Sequence, residues 1–224
     1  MPQDEQRGDR YRAHSYQYNH RPGPGRINLL ISGFYRQSLV STDDVIEAIE
    51  AIPSNHIKGL QVVKYDPARE VQQLMAQADG VSMEPHVMGA YYYASDLAGI
   101  VIYEFHNKLM FYHMLYHEIG HYVYLRVLTQ PLRDEWLYRV RPHANQRFVS
   151  RYAATSAAED FAECYAYFCV FPQTLWKIFP KMRFIAEKVF YLEPGSYDFS
   201  EPDPAEQAPP HADPDVPPAY PDIE

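Results

Sequence analysis

Residues 108–129 read KLMFYHMLYHEIGHYVYLRVLT. No proline interrupts the run before Pro131, and apolar or aromatic side chains recur on nearly every face. The spacing predicts one long helix, and its apolar character predicts burial within the core. A buried helix of this kind needs the rest of the chain around it. It also carries His113, His117, Glu118 and His121 into a place where ionisable groups cost free energy unless each is satisfied. The chain has the means to build such a core: 46% of its 224 residues are apolar and 15% aromatic, enough for one domain, with or without tails.

The remainder sorts around that helix. Residues 1–25, rich in Arg, His, Tyr, Gly and Pro, predict a flexible arm. Residues 194–224 are dense in proline and acids, which no regular element can run through, so a disordered tail is expected. The folded unit is then residues 26–193. Strands are expected over 27–34, 59–66, 88–94 and 98–105. A helix is expected over 41–52, capped by Ser41 or Thr42 with acids in its first turn, and a short helical piece near 68–78. Residues 132–150 look irregular. Helices are expected over 156–170 and 175–192, the second broken near Pro180. This order predicts an α+β fold, with a small mixed sheet packed against a helical half.

Bulk properties exclude some functions. A formal net charge of −9 argues against a nucleic-acid binder. There is no run of about 18 apolar residues, so no membrane span is expected. Cys164 and Cys169 fall five apart on one predicted helix, facing different ways, so they are not expected to pair. The segment MPQDEQRGDRYR has no apolar stretch of the kind a secretory leader uses, which leaves a cytoplasmic site and export by another route both open.

Within the long helix, His117 and His121 stand one turn apart on one face, close enough to share an ion. Zn2+ accepts imidazole nitrogens, and a catalytic zinc needs a third protein ligand plus an open position for water. Glu118 sits beside His117 and is the candidate general base. Gly120 costs helix stability, about 1 kcal/mol relative to alanine, which points to a local need for close approach. The bland alternative is a pair of core histidines. His113 shares the face, but three histidines spaced by four along a straight helix do not converge on one ion, so His113 reads as an outer residue.

The segment SAAEDFAE, residues 156–163, offers the missing ligand. Glu159 is the candidate, with Glu163 one turn later as a carboxylate that hydrogen-bonds the far nitrogen of a ligand histidine. Two alternatives stay open: Glu159 as part of a capping box with Ser156, or Glu163 as the metal ligand. Asp160 is expected to face solvent. Tyr152, seven residues before Glu159, can donate a hydrogen bond to a developing oxyanion, although any one of twenty tyrosines can equally be filler.

The paired motif resembles the gluzincin zinc metallopeptidases, and among them the catalytic domain shared by anthrax lethal factor and the clostridial Pro-Pro endopeptidases. The resemblance covers roughly residues 27–192. It implies a zincin-like fold in which an HExxH helix meets a glutamate helix, here the run EDFAE at 159–163. It implies His117, His121 and Glu159 as metal ligands, Glu118 and Tyr152 as catalytic groups, and Glu163 behind a ligand histidine. It also implies a protein or peptide substrate held along an edge strand, with residues 98–105 as the matching candidate. A Pro-Pro preference would make 209–210 or 217–218 a site of self-cleavage. The expected function is zinc-dependent endopeptidase; the rivals are a catalytically inactive zincin-like binding or regulatory module, a purely structural domain, and a zinc hydrolase of non-peptide amides.

Overall fold

Branched and aromatic runs become strands close to where their spacing predicts them. The computed structural model describes residues 15–19, 28–79, 87–94, 97–144, 147–194 and 196. They divide into two units, Met1–Phe111 and Tyr112–Glu224, with the division in the first turn of the long helix.

The first unit is built on a five-stranded sheet. Its strands are β1 (Ser15–Asn19), β2 (Asn28–Ser32), β3 (Val62–Tyr65), β4 (Gly89–Ala94) and β5 (Leu97–Ile102), in the order β1-β2-β3-β5-β4. β2, β3 and β5 run parallel, and β1 and β4 flank them antiparallel, so the sheet is mixed as expected. Leu29, Ile31, Val63, Ile100, Val101 and Ile102 are at most 1% exposed, and burying one such side chain contributes about 1.5–3 kcal/mol. Helix α1 (Thr42–Glu50) starts at a reciprocal cap: Ser41 accepts from the Asp44 amide, and the Asp44 carboxylate accepts from the Ser41 amide at 2.7 Å. Helix α2 (Glu70–Asp79) follows β3.

Two expectations fail here. Residues 1–25 are not all arm, because Ser15–Asn19 pairs with β2; the rest of that stretch, and nearly all of 194–224 with both Pro-Pro pairs, lies outside the described residues. Nor is 98–105 an edge strand. β5 pairs with β3 on one side and β4 on the other, and its residues after Leu97 are buried without alternation. Such a run marks a strand covered on both faces.

The second unit is helical. Asn107 Oδ1 accepts from the Met110 amide at 2.8 Å and opens helix α3 (Lys108–Tyr122), which continues as a π turn to Val127. Residues 132–150, expected to be irregular, are largely helical: α4 (Gln130–Glu135), a π turn (Trp136–Val140) and α5 (Arg141–His143). Pro131 sits in the first turn of α4, where proline removes no needed donor, and Pro142 lies in α5, which runs on directly from the π turn. Buried Trp136 anchors this stretch, with its ring 5.3 Å from those of Phe161 and Phe184. Helix α6 (Ala157–Val170) stops before Pro172, and α7 (Pro172–Trp176) and α8 (Phe179–Phe184) replace the single broken helix expected there. No helix among the described residues is long and apolar enough to cross a membrane.

Candidate metal centre

Helix α3 places the His117 and His121 rings with centroids 4.7 Å apart and their Nε2 atoms 3.0 Å apart. Glu159 enters from the first turn of α6. Its Oε2 lies 3.2 Å from His117 Nε2 and 3.1 Å from His121 Nε2. These three atoms make a nearly equilateral triangle. A four-coordinate zinc with arms of about 2.0–2.1 Å keeps neighbouring ligand atoms roughly 3.3–3.4 Å apart, so the triangle is only slightly tighter than zinc would set it. Glu159 Oε2 is also buried and makes no hydrogen bond. A buried carboxylate oxygen facing two imidazole nitrogens without being satisfied by them fits a cation between the three, and the cluster could hold a metal ion.

The electrostatics agree with that geometry. Burial alone lowers the His117 pKa, but Glu159, Glu163 and Glu118 outweigh it and hold it up to about 10. Burial raises Glu159, yet close contact with His117 and His121 wins and holds it down to about 2. The His117 shift reports the negative charge of the carboxylates around it, and the Glu159 shift reports the positive charge that the imidazoles carry when protonated; together they favour a positive charge at the centre, whether a proton or a metal cation.

The supporting groups converge as well. His117 Nδ1 lies 2.8 Å from Glu163 Oε1, with both side chains almost fully buried. A carboxylate only accepts, so Nδ1 carries a proton, and Nε2 is the nitrogen that faces the triangle and would give its lone pair to a metal ion taking the place of the second proton. Glu163 thus addresses the nitrogen facing away from the triangle and is not a member of it. His113 lies on the far side of Glu163, its Nε2 3.5 Å from Oε1 and its ring edge-on to Tyr167. It is the outer residue the spacing predicted. Ser156 Oγ accepts from the Glu159 amide at 3.0 Å, so half of a capping box forms, while the Glu159 side chain turns to the histidines.

Glu118 is 3% exposed, and its charge is felt at His117 and at Tyr152. Tyr152 opens a single 3-10 turn (Tyr152–Ala154), with its ring centroid 5.7 Å from that of His117. Burial raises its hydroxyl, and the charges of Glu159 and Glu118 raise it further, so it stays a protonated donor at neutral pH. Gly120 has its reason too. A Cβ there would sit 2.8 Å from Ala162 Cα and 3.2 Å from Tyr165 Cβ. Glycine lets α6 approach α3 backbone to backbone, and that approach delivers Glu159 and Glu163.

Asp160 does not face solvent. It is fully buried, 2.6 Å from Lys181 Nζ and 3.3 Å from Arg141 Nε. Neither cation was expected from the sequence. A lysine inside the apolar run IFPKMRFIA was the available signal, since a lysine in such a setting needs a buried partner.

No protein-family model matches this chain, and no curated protein does. Among solved structures, a Bacteroides caccae protein provisionally named a zinc-binding metallo-peptidase is similar at 12% identity and a TM-score of 0.38, over 66% of each chain. A likeness at that level carries no argument, so what this site can do rests on its own geometry.

Proposed function

We propose that this chain is a zinc-dependent endopeptidase that hydrolyses a peptide bond in an extended segment of a protein substrate. The observation that carries the reading is the triangle of His117 Nε2, His121 Nε2 and Glu159 Oε2, with Glu163 fixing the His117 ring from behind. Two imidazoles and one carboxylate form a donor set used by catalytic zinc, and three protein donors are the number an open site employs. When bound, zinc supplies Lewis-acid polarisation of a water and of the scissile carbonyl.

The chain's own groups do the rest. Glu118 takes a proton from the attacking water and returns it to the leaving amine. Tyr152 donates its hydroxyl proton as a hydrogen bond to the oxygen that gains charge. Glu163 keeps His117 in one tautomer. An extended substrate pairs through its main chain with a strand at the border of a sheet, a place that the interior β5 does not offer. A zincin-like arrangement and kinship with lethal factor-type domains belong to the same reading, supported by the Tyr152-to-Glu159 spacing and the EDFAE run.

The test compares zinc-loaded wild type with Glu118→Gln on a library of unstructured peptides, with products identified by mass spectrometry. The variant should keep its zinc and lose activity by about 10²–10⁴-fold, the usual contribution of a general base. Equal rates would remove Glu118 from the mechanism. A zinc-loaded wild type that cleaves nothing would favour the inactive binding module.

A further inference from the structure

Asp160 follows Glu159 directly on α6, yet the two carboxylates serve different neighbours. Glu159 meets the histidines. Asp160 draws in two cations, with Lys181 Nζ at 2.6 Å from Oδ1 and Arg141 Nε in an ion-pair contact at 3.3 Å from Oδ2. Lys181 is itself fully buried. Such a group is held in place by its partners, because each loses its compensation if another moves.

Each cation has a second attachment, and both fall on the segment that carries Tyr152. Lys181 Nζ donates to the Arg147 carbonyl at 2.7 Å and lies 4.2 Å from the centre of the Phe148 ring. Arg141 Nη2 donates to the Ala154 carbonyl at 3.2 Å, with its guanidinium carbon 5.4 Å from the same ring. Arg147 and Ala154 bracket Tyr152 in the chain. Inside the bracket, Ser150 Oγ accepts from the Ala153 amide, and the Tyr152 carbonyl accepts from the amide and hydroxyl of Thr155. The segment is short, tied at both ends and braced within.

We infer that Asp160 is a positioning residue for Tyr152: through Lys181 and Arg141 it clamps residues 147–154 so that the tyrosine keeps its place beside His117. The inference rests on the reading of Tyr152 as the oxyanion donor of the proposed peptidase. Consecutive residues on one helix turn then fix both a metal donor and the tyrosine. A displacement of only 1 Å at a reacting group costs on the order of 10²-fold in rate, so a clamp remote from the chemistry is felt in turnover.

The test uses the full chain carrying Asp160→Asn with Lys181→Met. Together these neutralise the buried pair without leaving either charge alone, and Arg141 retains access to water at 26% exposure. Three readouts are needed: amide hydrogen exchange over 147–155, kcat per zinc-bearing chain, and kcat after adding Tyr152→Phe. The expected result is faster exchange in 147–155 with α3 unchanged, and a fall in kcat of about 10- to 100-fold at near-constant KM. Adding Tyr152→Phe should then produce no further loss. Unchanged exchange overturns the clamp. An unchanged kcat, or a loss that multiplies with that of Tyr152→Phe, overturns the positioning role. If zinc-loaded wild type cleaves nothing, the peptidase reading fails separately, and exchange alone decides the clamp. Should the paired variant not fold, Phe148→Leu keeps the ion pair and removes only the ring beneath the ammonium. It should raise exchange in the same segment by less, and no rise overturns the clamp.

Discussion

Strand β5 buries Ile100, Val101 and Ile102 completely, whereas helix α6 buries Asp160 and Glu163 between Phe161, Ala162 and Cys164. The contrast extends to the units they belong to. Among the described residues, the buried polar side chains of the sheet unit are His56, Asp66 and Gln72, and those of the helical unit are His113, His117, Glu118, Asp160, Glu163 and Lys181. Apolar burial is non-directional and tolerates exchange of similar shapes. Buried charge tolerates little, because each group depends on a partner at one place. The sheet unit is therefore built for stability, and the helical unit holds charge at fixed positions, which is what a metal centre needs.

Mutations in the two units should differ in cost, and the largest effect is expected where charge is buried. Lys181→Ala leaves Asp160 buried with one cation in place of two, and should cost about 3–5 kcal/mol in denaturant unfolding. Next comes Gly120→Ala. The gain in helix propensity is outweighed by a Cβ driven against the Ala162 backbone, so a net loss of about 1–3 kcal/mol is expected, with zinc content falling alongside it. Ile100→Val, in the sheet, should cost only about 0.5–1.5 kcal/mol despite the full burial of the site. A cost there as large as that of Lys181→Ala would erase the distinction between the units.

The smallest effect belongs to a charge near the surface. The Lys108 ammonium, 2.8 Å away, and the Ser41 amide hold Asp44 down to about 2, below its ordinary value near 3.8. A depressed carboxylate stabilises the folded state above its unfolded value, and that contribution is lost as pH falls toward the folded one. Asp44→Asn should therefore lower stability at neutral pH by no more than about 1 kcal/mol, given solvent screening. Thermal melts at pH 7 and near pH 2 check this, with the two proteins converging at the acidic end.

The same contrast explains what could be read in the sequence. Local signals were legible: the Ser41 and Ser156 caps, the apolar helix α3, and the one-turn spacings of His117 with His121 and of Glu159 with Glu163. Each concerns residues within a turn of one another. The Gly120 contact was legible as a need for close approach, though not as the approach of Ala162. Asp160 was misread because its partner Lys181 lies on another helix, and no local pattern links the two. The interior place of β5 was hinted at by its unbroken apolar run, but partners on both sides are a property of the sheet. The long helix does end before Pro131 as its spacing predicted, but residues 132–150 were misread as irregular, because the helix there is anchored by the buried Trp136 against Phe161 and Phe184, partners that no local pattern names.

Everything proposed for this site depends on His117, His121 and Glu159 together holding one metal ion. Elemental analysis of purified wild type beside Glu159→Ala, after both are offered zinc at neutral pH, tests it most directly. The account predicts close to one zinc per wild-type chain and far less in the variant. No zinc in either protein would contradict the account, and full zinc in Glu159→Ala would show that the triangle is not the site.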